Sequence, residues 1–478
     1  MIELSVFWQV FSLVFLITAI PVSVMIILEK RSPYKTAAWV LVLIMVPVFG
    51  VIFYLIFGQE YRKQKIFSRS GIKSLGKIRN LSLKQLRQIR TRKDSYEKEN
   101  IIRLLLNNSN SLLTTGNEVK ILDSGESTFR AIFEAIKNAE HHIHLEYYIF
   151  SDDKTGNRLK DLLIEKSIQG IEVRVIIDDV GSWGLKRKFI NELRGNGIEI
   201  YPFMEVHFPR LTSRVNFRNH RKILIVDGVV GFTGGINIAD RYIDGIKGIG
   251  PWRDTHLRIT GDAVACMQVI FAADWYFCIN ENITGSKYFK PFTEGHGTAV
   301  QISSSGPDSD WESISQAFFA AIANARKKVY IATPYLMPPP DILSALKIAA
   351  LSNIDVRIVI PHRSDALIPR WSSFSYVSEL LEAGVRVYFY ETGFIHSKYI
   401  IVDDTFVTVG TTNLDFRSLE TNFEINAFIY DPDFTARMEA VFTADLENSW
   451  EISRGYWEKR PWHKKFRESV AHIVSPLL

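Results

Sequence analysis

The sequence predicts an α/β protein with two pseudo-symmetric halves, each a mostly parallel β-sheet flanked by helices, and with an N-terminal transmembrane helical hairpin. Three observations predict this class. Strand-like apolar runs alternate with helix-like segments after Val119, this alternation occurs twice, and two uncharged apolar stretches open the chain. At 478 residues, the chain is also too long for one ordinary hydrophobic core.

The two apolar stretches cover residues 4–28 and 36–59. Each is long enough to cross a bilayer, since about 20 helical residues span a hydrocarbon core of about 30 Å. Residues 1–60 are therefore predicted to form a membrane hairpin. Pro21 and Pro47 lie within the stretches and three basic residues lie in the connecting loop, so a re-entrant hairpin is an alternative.

A basic segment follows the hairpin. Twelve Lys or Arg and no Asp or Glu occur from Arg62 to Lys93. By the positive-inside rule, both chain ends should face the cytoplasm, with residues 61–118 forming a juxtamembrane segment on an anionic lipid surface. A solvated linker is the other interpretation of this segment.

The rest of the chain has the opposite charge balance. Since the whole chain carries +5, the basic segment carries +12 and residues 1–60 are balanced, residues 94–478 carry −7. A nucleic-acid backbone normally requires a basic protein face, so no nucleic-acid partner is expected.

Internal repetition defines the halves. The run 171–177, Ile-Glu-Val-Arg-Val-Ile-Ile, matches 354–360, Ile-Asp-Val-Arg-Ile-Val-Ile. We predict one half at residues 119–285, a linker at 286–297, and a second half at 298–478 that ends in an aromatic and basic segment. That segment, within 450–467, suits an anionic membrane surface, although ordinary C-terminal packing explains its composition equally well.

Each half contains the pattern His-x-Lys-x-x-x-x-Asp, as His220, Lys222 and Asp227 and again as His396, Lys398 and Asp403. Side chains two apart on a strand point the same way, so His and Lys of each copy should share a face. The Asp is offset by an odd number and, in the first copy, begins an Asp-Gly turn. We therefore expect the Asp of each motif to serve structure more than chemistry.

Supporting residues recur at matching positions. Asn237 and Asn413 each follow the motif Asp by ten residues, and their amides could donate to a ligand without adding charge. A carboxylate comes later in each half, Asp254 after the first His and Glu424 after the second. Each could accept a hydrogen bond from its imidazole and determine which ring nitrogen reacts.

A pseudo-two-fold axis would place both His, both Lys and both Asn around one cavity, which suits a phosphodiester. One imidazole could attack phosphorus while the other protonates the departing alkoxide and then deprotonates the incoming alcohol. Lysine beside each His disfavours a metal cation, so we expect no metal. Glu146 and Tyr148, at the end of a strand, could contact a head group, although strand-end packing is at least as plausible.

The chain resembles the phospholipase D superfamily, and among its members the bacterial cardiolipin synthases. The resemblance rests on both motifs, on the hairpin with its basic segment, and on the segments 216–222, 234–237, 394–398, 410–413 and 475–478. It implies phosphatidyl transfer between two phosphatidylglycerol molecules, giving cardiolipin and glycerol through a phosphohistidine without cofactor. It further implies His220 as nucleophile, His396 as acid and base, and a multi-pass protein of the bacterial cell membrane with a cytoplasmic catalytic body.

Several alternatives remain open at this point. The two histidines could exchange roles, and water could replace the second lipid, giving a phospholipase D that releases phosphatidic acid. A nuclease is disfavoured by the acidic body and the hairpin. A non-catalytic membrane scaffold is the hypothesis of another class, and the oligomeric state is undetermined.

Overall fold

Fifteen strands of the described chain form one continuous β-sheet. The structure, a computed structural model, describes residues 13, 17–28, 33–54, 98–205, 216–292 and 297–478. The chain divides into two units, residues 1–64 with 205–217 and residues 65–204 with 218–478. Both duplicated motifs and the large sheet belong to the second unit.

The strands of the first half are β1 (Leu113–Leu122), β2 (His142–Tyr147), β3 (Glu172–Asp178), β4 (Glu199–Phe203), β5 (Lys222–Val226), β6 (Val230–Gly234), β7 (Trp252–Arg253) and β8 (His256–Gly261). Those of the second half are β9 (Thr298–Ser305), β10 (Lys328–Ala332), β11 (Leu336–Met337), β12 (Asp355–Pro361), β13 (Arg386–Tyr390), β14 (Phe394–Ile395), β15 (Tyr399–Val402), β16 (Phe406–Gly410), β17 (Leu414–Asp415), β18 (Glu424–Tyr430) and β19 (Ser449–Glu451).

The strand order of the large sheet repeats about its centre. From the central antiparallel pair β1 and β9, one half runs β8, β6, β5, β2, β3, β4 and the other runs β18, β16, β15, β10, β12, β13, with β19 at that edge. Equivalent strands therefore lie at equivalent positions on the two sides. The pseudo-symmetry predicted from the repeated segments is present in the sheet itself.

The prediction of mostly parallel sheets is wrong, because the sheet is mixed. In the described part of the large sheet, parallel pairing is limited to β2 with β3, β3 with β4, β10 with β12, and β12 with β13. The motif strands β5 and β15 pair antiparallel with both neighbours. Three-residue connections join β5 to β6 and β15 to β16, and connections this short permit only antiparallel pairing. Both strands are buried along their whole length, so their continuous apolar sequences reflect a central position in the sheet and not the direction of their neighbours.

Helices cover the sheet and form a hydrophobic core in each half. Ser124, Asp153 and Asp431 each cap a helix by accepting a hydrogen bond from the N–H three residues on. The helices of this unit are Glu99–Ser109, Gly125–Lys137, Lys154–Ile168, Arg187–Gly195, Arg241–Asp244, Ala263–Ile279, Ser313–Ala323, Pro340–Leu351, Leu367–Ser375, Val377–Glu382, Pro432–Glu447, Arg454–Glu458 and Trp462–Ile473, with single turns at Arg417–Thr421 and Ser475–Leu477.

The folded body begins before the predicted boundary at residue 119. In helix Glu99–Ser109, Ile101 and Leu105 are buried in the core of the second half. Strand β1 begins at Leu113 and pairs with both β8 and β9. Residues 99–118 therefore belong to the body and not to a juxtamembrane segment, whereas the basic cluster at 62–93 lies outside the described residues.

The described N-terminal helices cover residues 17–28, Pro33–Met45 and Pro47–Phe53. Ala19, Ile26, Leu43 and Tyr54 form a small buried cluster between them. In its described part, the second apolar stretch does not form one helix as expected, because the helix that begins at Pro33 is interrupted at residue 46. Proline lacks an N–H and disfavours helical conformation in the residue before it.

The outer ends of the two predicted spans lie outside the described residues. Within the part of the chain that the structure describes, no helix is both long enough and apolar enough to cross a membrane.

Candidate active site

Short backbone contacts between the halves position each motif histidine. The N–H of His396 donates to the carbonyl of Arg253, at 2.7 Å, next to the parallel pair of β14 and β7. In the same way, the N–H of His220 donates to the carbonyl of Phe423, at 2.9 Å. Each histidine therefore lies beside the residue that immediately precedes the carboxylate of the opposite half.

The imidazole–carboxylate pairs consequently cross between the halves. His220 Nδ1 lies 3.0 Å from Glu424 Oε1, and His396 Nδ1 lies 2.8 Å from Asp254 Oδ2. The expectation that each histidine pairs with the carboxylate of its own half is wrong, because the backbone contacts bring each carboxylate to the other motif. Each half supplies one component of both pairs, so neither half contains a complete site.

Further contacts hold the two carboxylates in place. Glu424 accepts a hydrogen bond from the Thr411 hydroxyl. Asp254 accepts hydrogen bonds from the Trp252 indole N–H at 3.2 Å and the Thr255 backbone N–H at 2.8 Å. A Cβ atom added at Gly235 would lie 2.0 Å from Asp254 Oδ1, so this position requires glycine for Asp254 to reach His396.

Both motif lysines are buried beside their histidines. Lys222 Nζ donates to the backbone carbonyl of His220 at 2.7 Å, and Lys398 Nζ lies 2.9 Å from His396 Nδ1. Burial lowers the pKa of Lys222 to about 7 and the pKa of Lys398 to about 8. The Lys398 ammonium also contributes to the lowered pKa of Lys222, so the two motifs share one electrostatic environment.

The imidazoles are held neutral in this site. Burial lowers the pKa of His220 to about 4, with Glu424 opposing the shift and Lys222 adding to it. Burial, together with the Lys398 ammonium, lowers the pKa of His396 to about 3, although Asp254 opposes this. Near neutral pH, each ring thus has a free electron pair on one nitrogen, as a nucleophile or a base requires.

The motif aspartates lie at the far ends of their strands, with a structural role. Asp227 accepts hydrogen bonds from three successive backbone N–H groups, of residues 140, 141 and 142, at 2.7–2.9 Å. Asp403 does the same at residues 326 and 327, and also accepts from the buried Lys98 ammonium at 2.8 Å. Both residues adopt left-handed backbone conformations, with φ of 55° and 54°. Their carboxylates tie the turn after each motif strand to the neighbouring strand.

Replacing Asp403 with alanine should therefore reduce stability more than intrinsic turnover. The change leaves the Lys98 ammonium buried without its carboxylate, and removing one partner of a buried pair typically costs about 3–5 kcal/mol. The matched control is Asp404→Ala, since Asp404 is half exposed and pairs with Lys327 and Lys328, and solvent-exposed pairs contribute at most about 1 kcal/mol each. Denaturant unfolding measures both variants, and equal losses would contradict the structural role.

The two asparagines differ in their surroundings. Asn237 accepts a hydrogen bond from the Ile149 N–H at 3.1 Å and donates to the Tyr242 hydroxyl at 2.5 Å. Its side chain thus braces the loop after β2, contrary to the expectation of an amide free for a ligand. Asn413 is buried as well, and its Oδ1 has no hydrogen-bond partner in the described chain.

Glu146 and Tyr148 also have different surroundings in the structure. The Tyr148 ring packs against His220 with centroids 5.0 Å apart, and its face lies 5.5 Å from the Lys222 ammonium. Glu146 is fully buried and accepts a hydrogen bond from Asn219 at 2.6 Å. The expectation that both could contact a head group is wrong for Glu146, because its side chain is buried against Asn219. Tyr148 lies beyond the end of β2 at Tyr147 and no longer follows the strand alternation.

Sequence reasoning missed several residues of the site. The Trp252 and Tyr242 rings lie 4.8 Å and 6.4 Å from the His396 ring, and both come from the other half of the chain. Thr411 lies within the segment 410–413 that contributes to the family resemblance, and this was the one available signal. Nothing in the spacing indicates the aromatic residues, because their contact depends on how the halves meet.

The fold and the paired motifs define a phospholipase D-like enzyme. A protein-family model described as "Cardiolipin synthase, PLD-like domain" matches residues 132–275 and 318–446, and one described as "Phospholipase_D-nuclease N-terminal" matches residues 10–59. Cardiolipin synthase of Alkalihalophilus pseudofirmus is 44% identical, covering 98% of this chain and 95% of the relative. The chain belongs to the cardiolipin synthase family, as its motifs predicted.

Other relatives agree with this assignment. Cardiolipin synthase 2 of Bacillus cereus is 43% identical, over 97% of this chain and 91% of the relative. Among solved structures, phosphatidylserine synthase of Haemophilus influenzae has a TM-score of 0.61 at 16% identity, covering 80% of this chain and all of the other. At that identity, the similarity concerns the fold alone.

Proposed function

We propose that this cardiolipin synthase transfers a phosphatidyl group from one phosphatidylglycerol to another through a phosphohistidine on His220. The observation that carries the proposal is the pair of cross-half contacts, His220 with Glu424 and His396 with Asp254, beside two buried lysines. This arrangement supplies a nucleophile, a proton donor and two cations to one phosphodiester.

In the first step, His220 Nε2 attacks phosphorus while its Nδ1–H donates to Glu424. The phosphorus–nitrogen bond forms as the bond from phosphorus to the glycerol oxygen breaks. His396 gives its proton to that oxygen, so glycerol leaves as a neutral alcohol. The Lys222 and Lys398 ammonium groups stabilise the charge on the non-bridging oxygens.

In the second step, a terminal hydroxyl of the head group of another phosphatidylglycerol attacks the same phosphorus. His396, now neutral, accepts the hydroxyl proton, and the bond from phosphorus to His220 breaks. The product is cardiolipin, and His396 regains its proton. The role of acid requires a protonated His396, and the substrate's negative charge favours that form by offsetting the nearby Lys398 ammonium.

Product analysis tests the proposed reaction. Purified full-length protein incubated with phosphatidylglycerol should form cardiolipin and glycerol in equal amounts. Phosphatidic acid without cardiolipin would show a phospholipase D instead, and absence of any reaction would favour a non-catalytic scaffold. Incubation with DNA and RNA in parallel should leave both intact.

The lysine pKa values predict how activity depends on pH. Because the pKa of Lys222 is lowered to about 7, its ammonium charge is present below this pH and is lost above it. The pKa of His220, at about 4, sets the acidic limit, since protonation removes the nucleophile. A plot of kcat against pH at saturating substrate, where the bound phosphodiester keeps His396 protonated, should therefore fall on both sides of an intermediate optimum.

Lys222→Arg should move the basic limit of that profile upward, towards the value of about 8 that Lys398 sets, because arginine keeps its charge. A lower maximal rate is expected from the altered fit. An unchanged basic limit would exclude Lys222 as the group that titrates there.

We further propose that the N-terminal segment holds the protein on the bacterial cell membrane as a hairpin, with the catalytic body in the cytoplasm. The described helices support this proposal because many of their apolar side chains are exposed, among them Ile17, Leu28, Met45 and Phe49. Resistance to extraction at alkaline pH would be the expected behaviour of the full chain, and release by carbonate would contradict it.

A further inference from the structure

The C-terminal helix Trp462–Ile473 exposes a continuous apolar stripe. Trp462, Phe466, Val470 and Ile473 are 76%, 62%, 49% and 77% exposed, and Leu477 just beyond the helix is 53% exposed. Their spacing of three or four residues places them on one face. Contiguous apolar patches of this kind mark interaction surfaces in soluble domains.

The surroundings of the stripe are basic. Residues 454–478 contain six Lys or Arg and two acidic residues. Both acids are already paired with arginines of the same segment, Glu458 with Arg454 at 2.6 Å and Glu468 with Arg460 at 2.8 Å. The exposed Lys464, Lys465 and Arg467 accordingly give the helix a net positive charge.

A neighbouring helix extends this surface. In helix Leu367–Ser375, the Ser375 hydroxyl lies 2.9 Å from His472 Nδ1, so the two helices are joined by a hydrogen bond. At its start, Leu367 and Ile368 are 61% and 49% exposed. Apolar side chains from two helices thus face solvent together.

Three arginines gather where the helices meet. The Arg467 guanidinium lies over the Trp371 ring at 4.7 Å, and both Arg363 and Arg467 act electrostatically on Arg370. The buried Nε of Arg370 has no hydrogen-bond partner in the described chain. Like charges that act on one another favour a bound anion, and guanidinium groups bind phosphate oxygens well.

One residue at the edge of this surface interacts electrostatically with a motif lysine. Asp365, two residues before Leu367, accepts a hydrogen bond from the Tyr335 hydroxyl at 2.9 Å. The same carboxylate contributes to the electrostatic environment of Lys398. The start of helix Leu367–Ser375 is therefore linked electrostatically to the buried lysine of the second motif.

We infer that the face formed by helices Leu367–Ser375 and Trp462–Ile473 docks on an anionic lipid bilayer. The apolar stripe enters the boundary between head groups and acyl chains, while the arginine cluster contacts lipid phosphates. The inference deepens the proposed function, on which it rests for the identity of the substrate as a bilayer lipid. The bilayer fits better than a second copy of the chain, because the positive charge around the stripe would repel itself.

Lipid contact can be measured on the full chain, independently of catalysis. The native cysteines Cys266 and Cys278 are free, so both are changed to serine. Phe466→Cys then introduces a single cysteine, which is labelled with a nitrobenzoxadiazole dye. The matched control carries the labelled cysteine at position 351 instead, as Leu351→Cys, because Leu351 is 69% exposed on another helix. Both proteins are reconstituted in phosphatidylcholine vesicles with or without phosphatidylglycerol.

Nitroxide-labelled lipid should quench the dye at position 466 at least about two-fold more than at position 351, and more so in the anionic vesicles. Equal quenching at the two positions would overturn the inference. A change in emission that depends on protein concentration at constant lipid would indicate a second copy of the chain and would overturn it equally.

A charge-reversal pair tests the arginine cluster. The measured quantity is the rate of transfer on bilayer phosphatidylglycerol divided by the rate on a dispersed short-chain analogue. The double variant Arg363→Glu and Arg467→Glu should lower this ratio by about ten-fold. The control, Lys137→Glu with Arg437→Glu, makes the same charge change on other helices and should preserve the ratio. Equal ratios in both pairs would contradict the inference. Absence of transfer by the unmodified protein on both substrates would contradict the proposed function and leave the quenching result to stand.

Discussion

Replacing either His220 or His396 with alanine is expected to lower the rate of cardiolipin formation by at least about three orders of magnitude. Alanine supplies neither a nucleophile in place of His220 nor a proton in place of His396, and a free alkoxide is a poor leaving group at neutral pH. The fold should persist, because the backbone contacts that position both residues use their N–H groups and not their rings.

The measurement is the initial rate of cardiolipin formation, with circular dichroism to verify folding. His142→Ala is the control, since His142 is a buried histidine of β2 in the same half as His220. It should remain active. Substantial activity in either motif variant would refute the two-histidine mechanism.

The covalent intermediate distinguishes the two histidines. Brief exposure to phosphatidylglycerol labelled in the diacyl part, followed by denaturation at mildly alkaline pH, should leave label on His220, because a phosphohistidine withstands base and is lost in acid. Label on His396 would reverse the assignment of roles while preserving the reaction.

Glu424→Gln and Asp254→Asn are expected to lower turnover by about two to four orders of magnitude each. An amide in place of the carboxylate no longer stabilises positive charge on the imidazole, and it can turn an N–H towards the ring and change the tautomer. Both carboxylates are fully buried, so no water compensates for the change.

A substrate with a good leaving group tests the crossed pairing directly. Phosphatidyl p-nitrophenol releases a weakly basic phenolate that needs no proton, so loss of the acid should affect the first step little. His396→Ala and Asp254→Asn should retain a rapid release of nitrophenolate, whereas His220→Ala and Glu424→Gln should lose most of it.

The grouping of these four variants is the informative result. If Asp254→Asn behaved like His220→Ala, and Glu424→Gln like His396→Ala, each histidine would depend on the carboxylate of its own half, and the crossed contacts would have no catalytic meaning. A carboxylate variant that slows both substrates and unfolds at lower denaturant concentration would indicate a structural defect instead.

Much of the chemistry could be predicted from local sequence. The spacing of His220 and Lys222, repeated at His396 and Lys398, indicated a two-histidine phosphodiester site and the correct family. The odd offset of Asp227 and the Asp-Gly pair were sufficient to predict its structural task, since strand alternation and turn chemistry are local properties.

Strand direction could not be predicted, because an apolar run such as that of β5 is buried whether its neighbours run parallel or antiparallel. The position of Glu146 was also missed, since the alternation that relates it to Tyr148 holds only while the strand continues.

The sequence by itself predicted which residues carry the chemistry, and it determined how often they recur and that they come from two equivalent halves. Only the tertiary structure decided that Glu424 serves His220 and that Asp254 serves His396. The reason is physical: which carboxylate meets which imidazole depends on the hydrogen bonds between the backbone beside His220 and Phe423, and beside His396 and Arg253. No spacing along the chain encodes contacts between segments more than 140 residues apart.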